Sequence, residues 1–269
     1  MLIALVVLLI FFVLYLMLLK PRTGHPGWDK LATARYAHRG LHDKENGIPE
    51  NSLAAFRLAV EHGYGAELDV HLLKDGSLAV FHDSTLKRIC GAEGKIEDLT
   101  AEDLGNYHLS GTEETIPLLR DVLALFEGKT PLIIELKVVD GNAAPLTDAV
   151  MELLKGWNGT YCIESFHPSV VRHLKEHYPN VIRGQLSENF FKSKSISLVN
   201  TILMTFLLTT AFTSPDFIAY KHQDRKNISL RLMRKLYGVH EVGWTIRQQN
   251  IMEELEKDGV TPIFENFVP

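Results

Sequence analysis

"AELDVHL", residues 66–72, spaces Glu67 and Asp69 two apart between the apolar Leu68 and Val70. "PLIIELKVV", residues 131–139, repeats the device with Glu135 and Lys137 around Leu136. Side chains two apart on a strand share a face. If Leu68 and Leu136 face outward, all four charged groups point to the other side. Similar short β-branched runs recur along the chain: "RYAHRG" from 35, "LAVFHD" from 78, "YCIESF" from 161, "VIRGQL" from 181, "DFIAY" from 216, "EVGWTI" from 241 and "TPIFENF" from 261. Between several of them lie helix-period stretches, among them "NSLAAFRLAVEHG" (51–63), "PLTDAVMELLKGW" (145–157) and "QQNIMEELEKDG" (248–259). Alternating strands and helices imply parallel βαβ units. The fold class expected is α/β, a TIM (β/α)8 barrel, with an open doubly wound sheet as the alternative. The runs number nine where a closed barrel needs eight, so one is irregular. No G-x-G-x-x-G follows the first run, which argues against a dinucleotide site.

Composition sets limits on partners. The 269 residues carry a formal charge of −5 with both signs interspersed, so there is no basic footprint for nucleic acid. The two cysteines, Cys90 and Cys162, lack metal-site spacing and read as buried thiols. The first 19 residues have no charged side chain. As a helix they would reach roughly 28 Å, close to the hydrocarbon thickness of a bilayer. The run has neither a basic start nor a small-x-small cleavage site, so residues 1–19 read as an uncleaved transmembrane anchor at the cell membrane. Lys20, Arg22, Lys30 and Arg35 all follow it, which puts the remaining chain in the cytoplasm by the positive-inside rule. Residues 20–34 read as a linker, with Trp28 at the membrane interface. Two insertions interrupt the alternation. Residues 84–116 read as a small lobe. Residues 190–212 carry no charge after Lys194, and a helical wheel sets Ser197, Thr201, Thr205 and Thr209 in one stripe opposite Val199, Ile202, Leu203, Phe206 and Leu207. They are expected as an apolar helix associated with membrane lipid, with a helix packed on the barrel as the alternative.

Chemistry gathers at the ends of the runs: His38 and Arg39, Glu67 and Asp69, His82, Glu135 and Lys137, Glu164. In a parallel barrel such ends meet at one rim, where these barrels keep their active sites. Buried acids cost several kcal/mol each unless compensated. Converging carboxylates therefore ask for a cation, and all-oxygen ligands favour Mg²⁺ or Ca²⁺. The plainer alternative is a set of rim ion pairs, Glu67 with Arg39 and Glu135 with Lys137.

In this order and spacing, "AHRG", "PENSLAAF", "GAELDVHLLKDGSLAVFHD", "LIIELK", "ESF" and "GWTI" resemble the glycerophosphodiester phosphodiesterases over most of residues 35–269. The resemblance implies a TIM barrel with an insertion after the "HD" strand. It implies catalytic roles for His38 and His82, metal ligation by Glu67, Asp69 and Glu135, and phosphate contact by Arg39 and Lys137. Asn51 matches the family's asparagine, either bonding a ligand oxygen or capping the following helix. Glu164 is a fourth ligand or a rim acid, and Trp244 a core residue or a wall for the alcohol. Where the family has Thr-Asp after its last strand, this chain has Glu265-Asn266. The implied reaction is metal-dependent release of sn-glycerol 3-phosphate from a glycerophosphodiester, with histidine as general acid and base. A lysophospholipid-like substrate, phospholipase C-like cleavage and a non-catalytic headgroup sensor are the alternatives.

Overall fold

The structure, a computed structural model, describes residues 1–193 and 196–269. Its strands are β1 (Tyr36–His38), β2 (Gly65–Leu72), β3 (Leu78–Val80), β4 (Leu132–Leu136), β5 (Tyr161–Ser165), β6 (Arg183–Ser187), β7 (Phe217–Lys221), β8 (His240–Ile246) and β9 (Val260–Phe264). β1 pairs in parallel with both β2 and β9, and parallel pairing continues from β2 through β4 to β9, so eight strands close into a barrel. The ninth run is β3, antiparallel to β2 with Val70 opposite Val80. It is a hairpin return outside the barrel. His82 therefore reaches the rim on the loop after an antiparallel strand, not at the end of a barrel strand.

The helices are α1 (Leu2–Leu18), α2 (Asp29–Ala32), α3 (Leu53–Glu61), α4 (Lys87–Cys90), α5 (Leu119–Phe126), α6 (Ala143–Leu153), α7 (Pro168–His177), α8 (Phe190–Ser193), α9 (Leu198–Thr205), α10 (Thr210–Thr213), α11 (Ile228–Leu232) and α12 (Gln249–Lys257). Strand parity sorts the core. Leu68, Val70, Ile134 and Leu136 pack outward against Phe56, Val122 and Leu146 of the helices, while Ile133, Cys162, Phe217 and Val242 fill the interior. The lobe of residues 84–116 has its own small core, with Leu86, Ile96, Leu104 and Leu109 buried against Phe81.

Three expectations change. Among the described residues no helix is long and apolar enough to cross a membrane. α1 has 17 residues, and its C-terminal end turns inward: Tyr15 bonds Ser229 at 2.7 Å, and Leu19, just after the helix, is buried with Leu207, Ile218 and Leu230. Part of the apolar run is spent on docking to the barrel. Residues 20–34 are likewise packed rather than loose. Arg22 pairs with Asp216, and Trp28, 4% exposed, lies 5.1 Å from Phe217 and stacks on His240. An apolar barrel interior needs a floor, and Trp28 and Leu31 supply it, so Trp28 is not an interface residue. In place of the expected single helix over 190–212, the described residues form the short helices α8, α9 and α10, and Lys194 and Ser195 lie outside the described residues.

Candidate active site

The parallel register of β2 and β4 sets Asp69 beside Glu135. Glu67, Asp69 and Glu135 are all buried, and each offers an oxygen within 4.8 Å of the others. Lys137 Nζ lies 2.7 Å from Asp69 Oδ1 and 2.6 Å from Glu135 Oε1. Arg39 donates its main-chain N–H to Glu67 Oε2 at 3.1 Å, and its side chain bonds Glu50 Oε1 at 2.6 Å and approaches Asp69 at 3.5 Å. Of the ion pairs expected as the alternative, Glu135 with Lys137 coexists with the acid cluster, whereas the Arg39 guanidinium turns to Glu50 and Asp69 and meets Glu67 only through its main-chain N–H. Three carboxylates face two cations, and the imbalance is felt. Burial, then the charges of Asp69 and Glu135, push the Glu67 carboxyl well above its ordinary range. Burial also raises Glu135, against the pull of Lys137. Asp69 is held far down, against its burial, by Lys137, His82 and Arg39. Burial would lower Lys137, but Asp69 and Glu135 keep it charged. A group of buried oxygens with surplus negative charge fits a hard divalent cation.

Each histidine is held by a carboxylate. His38 Nδ1 lies 2.7 Å from Glu265 Oε2, and His82 Nδ1 lies 2.6 Å from Asp83 Oδ1. A carboxylate at Nδ1 fixes the tautomer that donates there and leaves Nε2 free to take a proton. Burial lowers His38 despite the bond from Glu265, and it pushes His82 down to about 4 despite Asp69. Both rings are thus neutral near pH 7. Glu265 would rise through burial, but His38 and then Arg247 hold it at about 2, ionised throughout the working range.

A cleft of about 270 Å³ opens over these groups, lined by His38, Arg39, Glu67, His82, Glu135 and Lys137. Trp244 forms part of its wall, edge-on to Phe166 with ring centres 5.6 Å apart. Glu164 also lines it, in register with Glu135 on β5, but outside the three-acid group. Burial and then Glu135 push its carboxyl well above the ordinary range, and its Oε2 has no hydrogen-bond partner among the described residues. Asn51 does not line the cleft. It sits behind Asp69 with φ 55°, and its amide donates to Asp69 Oδ2 at 2.8 Å. The cap of α3 is Ser52, whose Oγ accepts from Ala55 N–H at 3.0 Å. Gly40 is required by the same packing, since a Cβ there would stand 2.8 Å from that of Ala55.

Sequence reasoning missed the supports. Asp83 also binds Arg88 of α4 at 2.6 Å, Arg88 binds Glu50 at 2.8 Å, and Glu50 returns to Arg39. Glu50 would rise through burial, yet Arg88 and Arg39 hold it at about 2. Asp83 and Glu50 flank His82 and Asn51 in the quoted motifs, which was the available signal. Arg88, in the lobe, gave none.

Comparison with known proteins bears on the family and the fold. The sequence pattern of the glycerophosphoryl diester phosphodiesterase family matches residues 38–269. A glycerophosphodiester phosphodiesterase of Caldanaerobacter subterraneus subsp. tengcongensis is 31% identical over 245 residues, covering 87% of this chain and 93% of its own. Glycerophosphodiester phosphodiesterase 1 of Bos taurus is 28% identical over 272 residues, covering 85% of this chain and 73% of its own. The fold resembles that of an Oleispira antarctica phosphodiesterase solved with its product sn-glycerol-3-phosphate, with a TM-score of 0.72 at 23% identity over 91% of this chain and 95% of that one. With its barrel, its acids and its paired histidines in the matched region, the chain belongs to the glycerophosphoryl diester phosphodiesterase family.

Proposed function

We propose that the cleft hydrolyses glycerophosphodiesters to sn-glycerol 3-phosphate and an alcohol, using Mg²⁺ or Ca²⁺ held by Glu67, Asp69 and Glu135. The observation that carries this reading is the pairing of two carboxylate-held imidazoles with one buried group of three acids. When bound, the cation supplies Lewis-acid stabilisation of charge on the non-bridging phosphate oxygens. Arg39 and Lys137 add fixed positive charge beside the same oxygens and draw the anion in. One imidazole Nε2 takes the proton of the attacking hydroxyl or water, and the other, once protonated at Nε2 beside the bound phosphate anion, gives that proton to the leaving alkoxide. Phe166 and Trp244 wall the cleft against bulk water. The exposed apolar side chains of α1, beside Lys20, support association with a membrane surface.

The test is choline release from glycerophosphocholine by the purified full chain. Activity is expected to vanish on chelation and dialysis and to return with Mg²⁺ or Ca²⁺. Undiminished turnover after chelation rejects the cation. Flotation with anionic vesicles, compared with a Leu5→Asp, Leu9→Asp variant, tests the membrane contact.

A further inference from the structure

Arg88 belongs to α4, in the lobe, yet both edges of its guanidinium are turned to the barrel rim. One edge pairs with Asp83: Nε donates to Oδ2 at 2.6 Å and Nη2 to Oδ1 at 3.0 Å. The other edge pairs with Glu50: Nη1 donates to Oε2 and Nη2 to Oε1, each at 2.8 Å. Two bidentate pairs on one planar group use the fork geometry of arginine, which a lysine ammonium does not have.

The same two carboxylates serve the groups of the cleft. Asp83 Oδ1 lies 2.6 Å from His82 Nδ1, and Glu50 Oε1 accepts from Arg39 Nη1 at 2.6 Å. His82 and Arg39 line the cleft, whereas Asp83, Arg88 and Glu50 stand behind it. A chain of charged hydrogen bonds thus joins His82 to Arg39 by way of the lobe. Burial would raise the Asp83 and Glu50 carboxyls, and Arg88 is foremost in holding both down. Without Arg88, Glu50 would turn its whole charge on Arg39 and compete there with a substrate phosphate. Asp83 would be free to swing with the His82 ring. The Arg88 side chain is 47% exposed, so its removal opens no cavity in the core. The main chain at His82 has a separate tie. Buried His71 meets the His82 carbonyl through Nε2 at 3.3 Å and Glu97 of the lobe through Nδ1 at 2.7 Å. Replacing Arg88 therefore loosens two side chains and leaves the backbone beside them held.

We propose that Arg88 is a positioning residue for the phosphodiester reaction, fixing the His82 imidazole through Asp83 and the Arg39 guanidinium through Glu50 in one register. The inference rests on the phosphodiesterase reading of the cleft. The His82 arm acts on proton transfer and therefore on kcat. The Arg39 arm acts on phosphate affinity, and therefore on KM and on inhibition by the product.

The experiment follows choline release from glycerophosphocholine by the full chain with saturating Mg²⁺, inhibition by added sn-glycerol 3-phosphate, and a thermal melt of each variant. Folded Arg88→Ala should lose about tenfold or more in kcat and need severalfold more product for inhibition, as expected for lost charged hydrogen bonds. Arg88→Lys keeps the charge without the fork and should recover only part of either loss. In an Asp83→Asn background Arg88→Ala should no longer lower kcat. In a Glu50→Gln background it should no longer weaken inhibition. Arg88→Lys with kcat and KM within about twofold of the unmodified chain overturns the proposal and spares the phosphodiesterase, whether or not Arg88→Ala folds. Losses from Arg88→Ala that are the same in all three backgrounds make its role structural only, and overturn the proposal as well. No turnover by the unmodified chain overturns the phosphodiesterase reading, and this one with it.

Discussion

Replacing Glu265 by glutamine alters one functional group and leaves its volume almost unchanged. The carboxylate accepts from His38 Nδ1 at 2.7 Å and stays ionised, with its proton affinity held down at about 2. It orients the ring, selects the tautomer and stabilises the imidazolium that forms when Nε2 takes a proton. A hydrogen bond to a charged acceptor is worth about 1.5–3 kcal/mol. At 1.36 kcal/mol per decade this corresponds to a loss of roughly 10- to 160-fold. Because the imidazolium exists only after proton transfer, the loss should fall on kcat and leave KM nearly unchanged. His38 is lowered chiefly by burial, and Glu265 partly offsets that effect. Removing the carboxylate should therefore move the acidic limb of the pH–rate profile to lower pH. Glu265 is a positioning residue that acts through His38, so Glu265→Gln added to His38→Ala should cost nothing further. The assay is choline release from glycerophosphocholine at saturating Mg²⁺ across pH, with a thermal melt to establish folding. A folded Glu265→Gln variant with kcat within twofold of the parent would refute the reasoning. So would a double variant whose losses multiply.

His82→Ala should lower kcat by about 10²-fold or more in a folded protein, as expected for a general acid or base. His82 has a further signature in stability. Its folded-state value, about 4, lies below the ordinary 6.5, so between those limits the unfolded chain binds the extra proton. Stability should therefore fall as pH drops from 6.5 to 4, and denaturant titrations should find that fall smaller in His82→Asn. Asn51→Ala should cost about 3 kcal/mol, combining the lost bond to buried Asp69 with the strain of alanine at φ 55°. Asn51→Gly, which removes the bond but not the backbone fit, should recover about 1 kcal/mol of that in urea melts, and equal melts would contradict this division. Trp28→Ala should destabilise by about 3–5 kcal/mol because it opens the barrel floor. A change under about 1 kcal/mol would return Trp28 to the surface role its sequence context suggested.

Much of the site was legible before any coordinates. Spacing by two along β2 and β4 sorted Leu68 and Leu136 from Glu67, Asp69 and Glu135, because the two faces of a barrel strand meet different surroundings. The structure brings those acids together as parity required, with Lys137 among them. Other readings failed where the pattern is silent on partners. "LAVFHD" has the composition of a barrel strand, yet it pairs antiparallel and only returns His82 to the rim. The apolar start of the chain reads as a span until Leu19 is found buried against the barrel. Glu265 departs from the expected motif, and only its distance to His38 reveals what it does.

The sequence by itself determined the periodicities, and through them the barrel, its charged inner face and the residue types available at its rim. These are local properties, set by the alternation of a strand and the amphipathicity of a helix. Tertiary structure alone decided that Glu265 serves His38 and what closes the barrel floor. Each depends on residues far apart in sequence meeting across the closed sheet, as Glu265 meets His38 and Trp28 meets Phe217. Such meetings leave no period in the chain to read.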